Sequence, residues 1–377
     1  MEQHYVFSAP GRTEIGGNHT DHQHGCVLAA AVNLETVADV TLNGTDKIWV
    51  QSEGYPVIKV DLKDLSVREE EKNTTAALIR GVAAAFAQRG AQIQGFDAVV
   101  KSNVLPGSGL SSSAAFEVLM GTIMNELFYD KKLSDIEIAQ IGQYAENVYF
   151  GKPCGLMDQM ASSVGGMVYI DLEATDKPQV QKISFDLAEA GYALCIIDSG
   201  ADHSDLTDEY AAIPAEMKQV CAYFGKEVLR QIPRDAFMKA IPELRKTVPD
   251  RAILRAMHIY QENDRVMKQV KALQDSDVEG FLNLVKESGR SSWMYLQNIT
   301  PAGAVAHQEV AVALALCEAL LQGKGAYRVH GGGFAGTVQA FVPLEDLDAF
   351  KTGIEEVLGT DACHILNIRQ QGGIRVQ

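Results

Sequence analysis

Residues 103–118, NVLPGSGLSSSAAFEV, set a proline, closely spaced glycines and three consecutive serines directly ahead of an apolar run with helical spacing. Glycine and serine both weaken helix interiors, glycine through backbone entropy and serine because its hydroxyl competes for backbone hydrogen bonds. Ahead of a helix the same residues have a use. The first helical turn carries unpaired N–H groups and the positive end of the helix dipole, and glycine lets an anion come close to that backbone. The stretch therefore predicts either a phosphate site at a helix start or a serine-capped helix with glycines at a tight contact.

The surrounding chain reads as α+β. FDAVVKSNVL before the stretch is a strand and AAFEVLMGTIMNELF after it a buried helix. Upstream, residues 26–42 and 46–60 have strand-like content separated by the turn signal NGTD, and residues 76–89 show helical spacing that stops at Gly90. Downstream, SDIEIAQIGQYAENVYFG reads as a helix capped by Ser134 and ended by Gly151, followed by strands GMVYIDL and YALCIIDSG. Residues 172–190 mix charge, Pro178 and weak periodicity, which predicts a boundary between domains 1–185 and 186–377. Helical spacing recurs over 208–230, 250–274, 277–297 and 302–322, with Pro214, Pro233, Pro242, Pro249 and Pro301 expected at the interruptions. GAYRVHGGGFAGTVQAFVP reads as strand, glycine turn, strand, and no internal repeat is present.

Several function classes are disfavoured at this stage. A net charge of -16 repels polyanions, so neither nucleic acid nor an anionic membrane is an expected partner. MEQHYVFSAPG lacks a basic segment followed by an apolar core, and no apolar run reaches bilayer length, so a cytoplasmic protein is expected. The six cysteines show no CxxC pairing and are expected as reduced thiols. His19, His22 and His24 are closely spaced, with two of them at strand alternation, yet without Cys or HExxH context they do not predict a zinc site.

Three clusters, APGRTEIGGNHTDHQHG (9–25), LPGSGLSSSAA (105–115) and VHGGGFAGT (329–337), resemble in order and spacing the signature motifs of the galactokinase branch of the GHMP small-molecule kinases. AENVYFGKPCGLMDQ (145–159) and HSDLTDEY (203–210) extend the resemblance over nearly the whole chain. It implies a two-domain GHMP fold, with an N-terminal ribosomal-S5-like domain of mixed sheet and helices and a C-terminal ferredoxin-like domain. ATP and a small-molecule sugar would meet in the cleft between them.

Phosphoryl transfer needs positioning and charge neutralisation more than covalent chemistry. Gly107, Ser108, Gly109 and Leu110, with Ser111 and Ser112, would wrap the nucleotide phosphates. Ser113 has a hydroxyl suited to Mg2+, and the resemblance pairs it with Glu146. By resemblance Asp158 is the catalytic base and Arg12 the residue that orients it. Asn18, His19, Thr20, Asp21, Gly155 and Tyr210 would hold the sugar, with residues 331–333 helping to close the nucleotide site.

The chain departs from the family at position 18, where Asn replaces the usual Glu, and at Ala335, which replaces a glycine. A neutral amide can donate and accept, and it removes a like-charge penalty against a sugar carboxylate. The implied activity is ATP-dependent phosphorylation of D-galactose at its anomeric hydroxyl by a monomer. Galacturonate or arabinose are alternative acceptors, and a catalytically silent galactose sensor is an alternative role. Ala114 and Ala115 following Ser113 without a gap, together with Arg12 and Asp158, favour catalysis.

Overall fold

The computed structural model describes residues 4–105, 108–201 and 206–377. Its first half is built on strands β1 (His4–Gly16), β2 (Cys26–Leu42), β3 (Lys47–Ser52) and β4 (Ile58–Asp61), then helix α1 (Thr75–Gln88), strand β5 (Phe96–Ser102) and helices α2 (Ser112–Phe128), α3 (Asp135–Tyr144) and α4 (Met157–Val164). Strands β6 (Met167–Asp171) and β7 (Gln179–Ile183) complete this half. The second half contains β8 (Tyr192–Asp198), α5 (Thr207–Tyr223), α6 (Arg234–Leu244), α7 (Asp250–Gln274), α8 (Val278–Ser291), α9 (Glu309–Leu321), β9 (Ala326–Val329), β10 (Thr337–Pro343), α10 (Leu347–Leu358), β11 (Cys363–Leu366) and β12 (Ile374–Arg375).

The first sheet runs β12-β1-β2-β5-β3-β4, with β6 on β2 and β7 on β6. Beside β1 on one edge, strand β2 is long enough to serve two partners on the other, pairing β6 through Cys26–Ala30 and β5 through Thr36–Leu42. Only β3 and β5 run parallel, so the sheet is mixed as the resemblance implied. Phe7, Val40, Ile79, Phe86, Leu119 and Ile123 form the core between this sheet and the helices. The register of β1 against β2 shifts between Pro10 and Arg12 and again between Glu14 and Gly16. Such bulges re-aim side chains, and here they bracket Arg12 and Glu14.

The second sheet is antiparallel throughout, in the order β11-β8-β10-β9. Numbered within the sheet this is 4-1-3-2 with helical crossovers after the first and third strands, the ferredoxin-like arrangement. A seam of Ile15, Leu28, Leu194, Val266, Phe281 and Phe341 joins it to the first sheet. We propose a division between 1–185 and 186–377 at the loop joining β7 to β8, with β12 returning to pair with β1.

Several helix boundaries differ from those predicted. Pro214 and Pro242 lie inside α5 and α6 instead of between helices, where burial of Ile213, Met217, Phe237 and Leu244 outweighs one lost backbone bond in each helix. Pro233 and Pro249 do stand at helix starts. The segment 277–297 divides into α8 and a π-helical turn, Ser292–Leu296, and helix begins at Glu309 rather than 302. The segment expected to be irregular, 172–190, holds β7. Ser134 forms a full capping box with Glu137, and Gly151 ends the π-helical turn Ala145–Phe150 with φ of 86°. No helix among the described residues is long and apolar enough to cross a membrane.

Phe86 is fully buried against the sheet and meets Tyr129 edge-on at 6.0 Å. Phe86→Ala is expected to cost about 3–5 kcal/mol, read as a lowered urea midpoint.

Candidate active site

Arg12 leaves a bulged segment of β1 almost fully buried, while Asp158 sits in the first turn of α4 with its side chain 31% exposed. The guanidinium grips the carboxylate with two bonds, Nε to Oδ1 at 2.8 Å and Nη2 to Oδ2 at 2.7 Å. Ser111 Oγ donates to the same Oδ2 at 2.8 Å. Burial pushes the Asp158 carboxyl up, but the charge and hydrogen bonds of Arg12, with the Ser111 hydroxyl, hold it below the usual carboxylate range. Asp158 is therefore ionised at neutral pH.

Ser111 is also the residue before α2, held at φ of 57°, and no side chain caps that helix. The expectation of a serine-capped helix is thereby corrected: Ser111 turns to Asp158, and Ser108 Oγ donates to Leu105 O at 2.7 Å. The loop's carbonyls are engaged inward. Ser108 O accepts from Thr337 Oγ1 at 2.9 Å, Gly109 O from Arg12 Nη1, and Leu110 O from Arg12 N at 2.9 Å. Ser112 is exposed and Ser113 half-buried on the first turn of α2. Gly107 lies outside the described residues. A helix start without a side-chain cap, with its loop carbonyls directed away, is the arrangement an anion completes.

Glu146 lies buried in the π-helical turn, and its Oε2 accepts from Gln159 Nε2 at 2.9 Å. The same Nε2 donates to Glu117 Oε2 at 2.9 Å, whose other oxygen is buried with no partner. Burial pushes both carboxyl groups up, and the charge of Glu146 pushes Glu117 further. No hydrogen bond joins Ser113 to Glu146 among the described residues. Glu117, four residues after Ser113 and so on its face of α2, escaped the sequence reading; that spacing was the available signal.

The first cluster closes on the third. His19, with φ of 60°, approaches Gly332 O at 3.1 Å, and Tyr210 donates to Gly333 O at 2.8 Å while its ring meets Phe334 edge-on. Gly155 lies so close to Asp21 that a side chain there would strike the carboxylate, which ties the start of CGLMDQ to the first cluster. Two of the residues expected at the sugar, Thr20 and Asn18, have their side chains engaged within the protein. Thr20 is fully buried, its one hydroxyl proton shared between Gly17 O at 2.8 Å and Cys26 O at 2.6 Å, so it closes a turn.

Asn18 is likewise fully buried. Its Nδ2 donates to Glu14 Oε1 at 3.1 Å and Gly331 O at 2.7 Å, and its Oδ1 accepts from Asn298 Nδ2 at 3.0 Å and Ser292 Oγ at 3.3 Å. It braces the wall of the cleft instead of presenting a free amide. The bracing residues were invisible in the sequence: Glu14 is held by Arg328, Asn18 O by His258 Nε2 at 2.9 Å, and His258 Nδ1 by Ser291 Oγ at 2.8 Å. His330 joins Thr13 Oγ1 at 3.0 Å and Thr337 Oγ1 at 2.9 Å. Polar residues inside otherwise amphipathic patterns were the only trace of these contacts.

Two predictions follow from burial. Desolvation holds His258 and His330 below the ordinary histidine range. Both are neutral when folded, while the unfolded chain binds protons near pH 6.5. Stability is thus complete above that pH and falls below it, by about 1.4 kcal/mol per unit for each histidine; urea midpoints from pH 7.5 to 5 should decline, less steeply in His258→Gln. Asn18→Glu places a second carboxylate against Glu14 and is expected to lower the thermal midpoint and raise the sugar KM, measured by scanning calorimetry and steady-state kinetics.

Comparison with known proteins now adds to this geometry. Residues 1–41 match the galactokinase galactose-binding signature and residues 77–166 the GHMP kinases N terminal domain. The chain is 31% identical over 372 residues to a galactokinase of Glaesserella parasuis serovar 5, covering 94% of this chain and 91% of that one. A galactokinase of Actinobacillus pleuropneumoniae serotype 3 is also 31% identical, with 97% of each chain covered. Among solved structures, Lactococcus lactis galactokinase complexed with galactose shares the fold at a TM-score of 0.84 and 23% identity, covering 99% of this chain and 95% of that one.

Proposed function

The chain belongs to the galactokinase family of GHMP kinases, and on that footing we propose that it is an ATP-dependent sugar 1-kinase that converts D-galactose to galactose 1-phosphate. The observation that carries the reading is the two-pronged grip of Arg12 on Asp158, with Ser111 at the start of α2 on the same carboxylate. That contact joins the proton acceptor to the phosphate loop.

In the proposed step the anomeric oxygen of the sugar bonds to the γ-phosphorus as the bond from phosphorus to the β,γ-bridging oxygen breaks. ADP leaves with that electron pair, and the hydroxyl proton passes to Asp158. An ionised carboxylate held low is a weak base, which suits a loose transition state in which the attacking alcohol gives up its proton late. Arg12 fixes the carboxylate and offsets charge near the transferred group. The amides of Gly109, Leu110, Ser111 and Ser112 cradle phosphate oxygens, with Gly107 assigned there by resemblance alone. His19, Asp21, Gly155 and Tyr210 are proposed to shape the sugar side of the cleft, with Asn18 and Thr20 supporting it from behind.

A hard cation suits the oxygen donors near Ser113 and Glu146, and the unpartnered buried oxygen of Glu117 beside them supports that fit. Ser113 and Glu146 would hold Mg2+, which when bound neutralises charge on the phosphates. Cytoplasmic location and a monomeric state complete the proposal. The galactokinase relatives favour galactose over galacturonate or arabinose and catalysis over sensing.

Asp158→Asn is expected to lower kcat by about 10²–10⁴-fold with galactose affinity changed only a few-fold, read by coupled ADP release and calorimetric titration. Substantial turnover in a folded Asp158→Asn protein would remove the base assignment. Rates over galactose, galacturonate, arabinose, N-acetylgalactosamine and glucose would then rank the acceptors.

A further inference from the structure

A cavity of 320 Å³ opens between α8, α9 and β9, away from the Arg12–Asp158 pair. Leu314 and neighbouring alanines form its apolar floor, and Trp293 and Met294, 50% and 62% exposed, form one wall. Lys286 and Arg290 stand one helical turn apart on its rim, and neither has an ion pair or side-chain hydrogen bond among the described residues. Glu318 is the one carboxylate among the lining residues. Two unpaired cations beside an indole wall make this rim locally positive within a protein of net charge -16, and they select the occupant by charge. The volume falls at the lower end of small-ligand sites, about 300–1,000 Å³.

The cavity is also wired to the sugar side of the cleft. The opposite face of the α8 segment carries Ser288 on Glu262 Oε1 at 2.6 Å, Ser291 on His258 and Ser292 on Asn18 Oδ1. At Gly289 the helix lies flush on β9, where an added Cβ would come within 3.1 Å of Arg328 Cβ. Arg328, itself a lining residue, holds Glu14, the partner of Asn18. The turn that carries both Trp293 and Ser292, the partner of Asn18, is π-helical, a form frequent at functional sites.

We propose that this cavity binds a small planar aromatic anion, its ring against Trp293 and its charge on Lys286 and Arg290, and that occupancy alters sugar binding through the partners of Asn18. The coupling rests on the proposed sugar site; the binding does not. The chain has two tryptophans, so Trp49→Phe leaves Trp293 as the sole reporter. With ADP present to fill the nucleotide cleft, 8-anilinonaphthalene-1-sulfonate should quench Trp293 saturably at one site per chain. Lys286→Gln/Arg290→Gln should weaken that binding at least tenfold without changing turnover in the absence of probe. By reciprocity, saturating galactose should shift the probe Kd at least threefold. Quenching that ignores the double substitution overturns the site, as does self-association that buries Trp293 in sedimentation velocity. A probe Kd that galactose leaves unmoved, where calorimetry shows galactose bound, overturns the coupling. Failure of galactose to bind at all would instead count against the kinase reading, with the double substitution still deciding the cavity.

Discussion

The structure turns on one guanidinium. Arg12 reaches Asp158 through Nε and Nη2 and Gly109 O through Nη1, while its backbone N–H holds Leu110 O. A single residue thus fixes β1, the loop before α2 and the first turn of α4 relative to one another. A lysine could not substitute, because a point charge lacks the planar fork that meets two carboxylate oxygens at once. Removing Arg12 would leave Asp158 with its burial and without the charge that keeps it ionised.

Around that contact the sequence was readable wherever local chemistry dictates local structure. The strand over 26–42, the helix ending before Gly90 and the Ser134 cap lie close to where propensity and capping put them. The 4-1-3-2 sheet was expected only through the family resemblance, since strand order is a long-range property. Helix ends failed where tertiary burial overrode proline, at Pro214 and Pro242. The last two strands are short, and their pairing with β8 and β1 leaves little mark in the sequence.

The site divides in the same way. Residues in glycine-rich motifs stood out because backbone geometry restricts which residues serve there, and the fold brings Arg12, Ser111 and Asp158 together across long separations. Asn18 was legible as a departure while its burial and partners were not, because these are set by residues nearly three hundred positions away. Glu117, His258, Arg328 and His330 are buried polar residues, each of which takes its meaning from its neighbours.

His19, Ser111 and Phe334, drawn from the three glycine-containing clusters, hold left-handed backbone without being glycine, as does His24 in the first. Folding would gain from glycine at these positions, since the side chain makes that conformation costly. Yet each of the first three side chains ties its cluster to another, His19 to Gly332, Ser111 to Asp158 and Phe334 to Tyr210. A lineage drifting toward heat resistance would therefore meet its cheapest improvements at the places where the cleft can least give up a contact, and robustness would be sought instead in the outer helices.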